Sequence, residues 1–283
     1  MDIGNIVHLE HVNVRIPDQR LATIFYVSGL GLTRDPFLMT GIDNMWINVG
    51  RSQFHLPTGN PQVVRGHVGL VVPDRRGLLR RLDKVSHDLA GTRFRFSEGD
   101  GFVEAISPWG NRLRCFEPAP WFGSARLAMP YVEFEVPTGA AEKITRFYRE
   151  IFETPAETID AGGSRSAKIT VGRNQHLLFR ESAGEPPPYD GHHVQIYIES
   201  FDAVRARLDK LGLVTELSNE HQYRFVDIVD LDTRRPLFAI EHEVRSTRNP
   251  LYARPLVNRN PDQNNMAYVP GADAMIWESA AAE

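Results

Sequence analysis

Short β-branched and apolar runs alternate along the chain with single amphipathic segments, and the alternation recurs four times. One phrase marks each recurrence: His11-Val-Asn-Val-Arg-Ile-Pro17, His67-Val-Gly-Leu-Val-Val-Pro73, Tyr131-Val-Glu-Phe-Glu-Val-Pro137 and His193-Val-Gln-Ile-Tyr-Ile-Glu199. Such self-similarity marks a repeated structural unit. In every copy the second, fourth and sixth residues are apolar, as Val12, Val14 and Ile16 are in the first. That period of two predicts a strand whose apolar face packs on a helix layer. The other face then carries His11, Asn13 and Arg15, His67, Tyr131, Glu133 and Glu135, and His193, Gln195 and Tyr197. A sheet face this polar is either solvated or lines a wet pocket.

A helical segment follows each strand. Asp18 is the expected N-cap before Gln19–Tyr26, with closure at Gly29 and Gly31. The second helix is expected from Asp74 to Leu89, the third over Ala140–Phe152 and the fourth over Phe201–Leu211 before Gly212. Short strands complete each module: Met45–Val49 and Gln53–Leu56; Phe94–Phe96, Phe102–Ile106 and Arg112–Phe116; Ala167–Val171 and His176–Phe179; Arg224–Val229 and Leu237–Glu241. The Pro- and Gly-rich stretch Pro118–Pro130 separates the second module from the third. The expected organisation is therefore one module pair over 1–120, a second over 128–244, and an extended tail over 245–283. Tail residues Tyr252, Leu256, Tyr268 and Trp277 suggest that it packs on something.

Composition narrows the function. A length of 283 residues suits two domains, and a net charge of −4 gives no sign of a nucleic-acid partner. The single cysteine, Cys115, excludes an internal disulfide framework and fits a reducing cytosol. The first residues have no signal-peptide pattern and no stretch is long enough to span a bilayer, so a cytoplasmic protein is expected.

Four such modules resemble the vicinal oxygen chelate superfamily, which includes glyoxalase I, bleomycin resistance proteins and extradiol dioxygenases. The strand openings carry the resemblance, with Phe25-Tyr-x-x-Gly-Leu-Gly31, Phe147-Tyr-Arg-Glu-Ile-Phe152 and the Trp109-Gly-Asn-Arg112 turn. It implies an α+β fold of βαβββ modules, pairing one with two and three with four into two cup-shaped domains. It also implies that metal ligands come from the first and last strands of each module.

On this chain those positions give His11, His55 and His67 in the first pair. Three imidazoles could hold a divalent ion such as Fe, Mn, Zn or Ni and leave positions open for substrate. The glutamate expected on the last strand of the second module is replaced by Arg114, a departure from the family. The second pair offers His193 and Glu241, with Tyr131 replacing the first-strand ligand. His221 and Tyr223 partially match the extradiol signature and are the candidate acid–base residues. Arg51 and Arg114 could bind an anionic group, and Trp46 and Tyr131 could wall an aromatic one. Each has an ordinary alternative in strand-face charge or core packing.

Three readings follow. The first is a metal-dependent enzyme on a small oxygenated substrate, aromatic or anionic, with the extradiol-dioxygenase layout favoured. The second is a metal-free binding protein of the drug-sequestering kind, motivated by Arg114 and Tyr131. The third is a partner-binding scaffold with the tail as an arm. A small-molecule substrate, no nucleic acid, no membrane and a homodimer complete the expectations.

Overall fold

The computed structural model describes residues 3–38, 41–184 and 186–279, so the last four residues of the expected tail lie outside the described residues. In the first module, β1 (Ile6–Asn13) leads to α1 (Gln19–Ala22), which widens into a π-helical turn over Thr23–Gly29. Asp18 caps this helix as expected, its Oδ1 accepting from the Leu21 amide at 2.9 Å. The module closes with β2 (Thr33–Arg34), β3 (Asn44–Val49) and β4 (Ser52–Pro57). The second holds β5 (Gly66–Val71), α2 (Arg75–Val85), β6 (Arg95–Glu98), β7 (Phe102–Ile106) and β8 (Arg112–Phe116). The third holds β9 (Ala128–Pro137), α3 (Ala141–Phe147) with a π turn over Tyr148–Phe152, then β10 (Ala156–Ala161), β11 (Ser164–Gly172) and β12 (Gln175–Ser182). The fourth holds β13 (His193–Ile198), α4 (Phe201–Lys210), β14 (Val214–Asn219), β15 (Gln222–Val229) and β16 (Pro236–Ser246). In both modules with a π turn, an adjacent aromatic pair is fully buried there: Phe25-Tyr26 and Phe147-Tyr148.

The strands form two eight-stranded mixed sheets, which with the helices make the α+β fold that the repeat predicts. Their orders are β14-β15-β16-β13-β1-β4-β3-β2 and β10-β11-β12-β9-β5-β8-β7-β6. The first module thus shares a sheet with the fourth, and the second with the third, while by internal packing residues 13–130 form one compact unit and residues 131–254 belong to the other. In each module the first strand bonds its own last strand along one edge. The other edge accepts any matching strand, and the repeat does not say which module supplies it. The apolar face of each opening phrase is buried as expected, with Val12, Val14 and Ile16 each at most 1% exposed.

By internal packing the chain forms two units, Met1–Val12 with Tyr131–Arg254, and Asn13–Pro130 with Pro255–Glu283. The core of the first is aromatic: Phe147 lies 6.2 Å from Phe225, and Tyr148 5.7 Å from Phe179. In the second, Tyr26 packs on Phe54 at 5.2 Å and Phe25 on Phe94 at 5.9 Å. The tail packs there too. Asn258 is buried and donates to the Gly50 carbonyl at 2.9 Å while accepting from its amide at 3.0 Å. Arg126 donates its amide to the Trp277 carbonyl at 2.8 Å. Tyr268, expected to pack, is 58% exposed. The tail also begins later than residue 245, because β16 runs through Ser246.

Candidate metal centre

The sheet order sets β13, β1 and β4 side by side, and each carries a histidine. His11, His55 and His193 each offer a nitrogen within 4.8 Å of the others. Two nitrogens on one ion at ordinary bond length lie up to about 4.2 Å apart, so this spacing is close to shared-ligand reach. His67, the expected third member, is buried on β5 in the other sheet. Its place is taken by His193, assigned from sequence to the other pair. The sheet order accounts for this: the first strands that become neighbours, β1 and β13, belong to modules one and four.

Each imidazole is oriented by its surroundings. His11 and His193 meet edge to face, their centroids 5.6 Å apart. The His11 Nδ1 lies 2.6 Å from Glu10 Oε2. Burial holds the His11 ring well below the usual imidazole range, at about 3, so it is neutral at physiological pH. A neutral ring whose Nδ1–H donates to a carboxylate presents its Nε2 lone pair, the orientation that metal-binding histidines use. His55 is stacked on Trp46, with centroids 3.8 Å apart, and its Nε2 lies 2.7 Å from Asn44 Oδ1. His193 Nδ1 is 3.2 Å from Glu241 Oε1, and its Nε2 is 3.6 Å from Glu243 Oε2. His192, the preceding residue, has its Nδ1 2.6 Å from Asp190 Oδ1 and its ring on Phe134.

Strand register explains why carboxylates and guanidinium groups gather at His193. β13 and β16 run parallel with His193 opposite Glu241, Gln195 opposite Glu243 and Tyr197 opposite Arg245. Arg224, opposite Glu243 on β15, bonds both Glu241 and Glu243. Arg245 Nη2 holds Glu243 Oε1 at 2.6 Å, and its Nη1 lies 3.8 Å from Glu10. Sequence reading named Glu241 and missed Glu10, Glu243, Arg224 and Arg245. For Glu243 and Arg245 the signal was present, since they continue the alternation of Glu241 along one strand face. Three imidazoles and a flanking carboxylate form a donor set that fits a borderline divalent ion.

The other expected site residues lie elsewhere. Tyr223 pairs with Val244, so it points to the helix side and packs on Phe201 at 4.9 Å, fully buried. The β15 residue that reaches Glu241 and Glu243 is its neighbour Arg224. His221 sits at the β14–β15 turn, 3.3 Å from Glu220, and lines a surface cleft of about 400 Å³ with Ser200, Asp202, Ser246 and Arg248. Both acid–base assignments are corrected by this placement. Arg114 and Tyr131 belong to the other sheet, where Arg114 lies 3.6 Å from Glu104 and Tyr131 stands opposite His176. Arg51 is exposed at the β3–β4 turn. Of the expected substrate-contacting residues, Trp46 touches a histidine of the cluster. Glu133 and Glu135 pair with Arg180, at 2.9 and 3.1 Å. Cys115 is buried and its thiol is pushed up to about 12, which removes it as a nucleophile.

No family model matches the chain, and no curated protein matches it. Solved structures do. Glyoxalase I from Zea mays aligns with a TM-score of 0.54 at 13% identity, over 84% of this chain and 92% of that one. A variant of the same enzyme aligns at 0.57 and 13%, covering 84% and 93%. A protein from Bacillus subtilis, named only provisionally as a dioxygenase, aligns at 0.56 and 14%, covering 87% and 86%. At these identities the likeness is one of fold: the chain has the vicinal oxygen chelate fold. No helix among the described residues is long and apolar enough to cross a membrane.

Proposed function

We propose that this protein is a divalent-metal-dependent enzyme that chelates a small oxygenated substrate, in the manner of the glyoxalase and dioxygenase proteins whose fold it shares, with the dioxygenase type favoured. The observation that supports this most is the convergence of His11, His55 and His193, drawn from three strands far apart in the chain. The three imidazoles would hold the ion, with the Glu241 carboxylate beside His193. A bound Fe, Mn, Zn or Ni would supply Lewis-acid polarisation of two neighbouring substrate oxygens, or a place for dioxygen beside them. The chain's own contribution is orientation. Glu10 fixes the His11 ring, Asn44 and Trp46 fix His55, and Glu241 and Glu243 bracket His193. Trp46 lies flat on His55 and offers an aromatic wall next to the centre.

Metal analysis of protein purified without chelator tests this. Near one equivalent of a transition metal, lost in His11→Ala and in His193→Ala, is the expected result. Less than about a tenth of an equivalent, with no gain on reconstitution, overturns it.

One observation favours a second reading, a metal-free binding protein. Arg224 already neutralises Glu241 and Glu243, as a cation would. That reading expects melting temperature to rise with an organic ligand and to ignore divalent ions.

A further inference from the structure

Gln195, on the polar face of β13, has no role in the reading above. It lies between His193 and Tyr197 on that face and opposite Glu243. Its side chain is completely buried, yet neither Oε1 nor Nε2 has a hydrogen-bond partner among the described residues. Leaving a buried amide unsatisfied costs about 1–3 kcal/mol, so such a group is normally matched by something that binds. The strand alternation aims it to the same side as the His193 imidazole, because Val194, Ile196 and Ile198 occupy the opposite, apolar side.

We infer that Gln195 is the specificity-determining residue of this site, and that it selects substrates carrying a neutral carboxamide-like group beside the two chelated oxygens. The inference rests on the metal-centre reading and adds the chemistry of the third substrate group. A primary amide both donates and accepts. A carboxylate only accepts, so it would satisfy Nε2 and leave Oε1 buried without a partner. A carboxamide satisfies both atoms at once. The residue is a positioning group, since it acts on the part of the substrate that does not react.

The test uses the full-length protein loaded with zinc, which is redox-inert, and three probes measured by calorimetry: catechol, catechol with an ortho carboxamide, and catechol with an ortho carboxylate. In the wild type the carboxamide is expected to bind at least about tenfold more tightly than the carboxylate, as a site built for paired hydrogen bonds discriminates. Gln195→Met should bring the two within about twofold while zinc stoichiometry and catechol affinity stay unchanged. Gln195→Glu, closest in shape, covers the case in which the methionine variant does not fold, and should weaken both substituted probes, the carboxylate most. An unchanged carboxamide preference in either folded, zinc-loaded variant overturns the inference, as does a wild type that binds catechol without preference. If the wild type takes up no zinc, or binds catechol equally with and without it, the metal-centre reading fails and this inference falls with it. That outcome is read before any substituted probe is added.

Discussion

His193 and Glu241 stand directly opposite each other in the parallel pair of β13 and β16, with imidazole Nδ1 3.2 Å from carboxylate Oε1. The same register carries Gln195 to Glu243 and Tyr197 to Arg245. One strand pairing therefore builds most of the polar wall. A slip of one residue would swap the whole wall for Val194, Ile196, His242 and Val244.

Arg224 should be the residue on which the stability of this wall depends most. It joins Glu241 to Glu243, and Glu243 is almost entirely buried. Arg224→Met leaves that carboxylate short of one partner and is expected to lower stability by about 3 kcal/mol. Adding Glu243→Gln to it should recover part of the loss. Thermal denaturation of both variants without metal checks this; equal melting temperatures for wild type and Arg224→Met would contradict it.

Tyr148 and His242 should couple in the aromatic core. His242 Nδ1 donates to the Ile240 carbonyl at 2.9 Å, so its Nε2 accepts from the Tyr148 hydroxyl at 2.6 Å. Tyr148→Phe keeps the ring and orphans a buried acceptor, at a cost of about 1–3 kcal/mol. A double-mutant cycle with His242→Phe should show that most of this loss belongs to the pair.

Acid should destabilise the protein in part through His176. Burial first, and Lys168 second, lower its pKa to about 4. The unfolded chain then binds more protons than the folded one between the ordinary imidazole value and about 4. The contribution is fully present above the ordinary value and is lost as pH falls through that window. His176→Gln is expected to flatten the decline in melting temperature between pH 7 and pH 5, to a degree limited by the partial exposure of the ring. An unaltered pH profile would count against this assignment.

Gly50 should tolerate no side chain. Its φ is +64°, and an added Cβ would lie 2.1 Å from the Leu127 carbonyl oxygen, backbone that cannot simply rotate away. The same residue holds two hydrogen bonds of the Asn258 side chain from the tail. Gly50→Ala is expected to destabilise by about 3 kcal/mol and to speed proteolysis of the tail. Proteolysis no faster than in wild type would separate the tail from this turn.

Much of the fold was legible because the period of two is preserved in all four opening strands. The strands missed from sequence, β2, β10 and β14, are short or polar and lie at sheet edges, where one side of the strand has no neighbour to demand an apolar pattern. His11 and His55, which come together with His193, were named from their places in the repeat. His67 was named in place of His193 because both open a strand in the same way, and only the sheet order decides which of them meets His11. Tyr223 was misplaced by one residue of alternation. Gln195 could be placed on the right face, but its lack of partners depends on packing that no sequence pattern records.

The most direct test of the central claim is the metal content of the wild type beside His11→Ala, His55→Ala and His193→Ala, with His67→Ala as the control. Three imidazoles sharing one ion predict near-stoichiometric metal in the wild type and in His67→Ala, and a loss of at least about tenfold in each of the other three. Metal retained in His193→Ala but lost in His67→Ala would contradict the account.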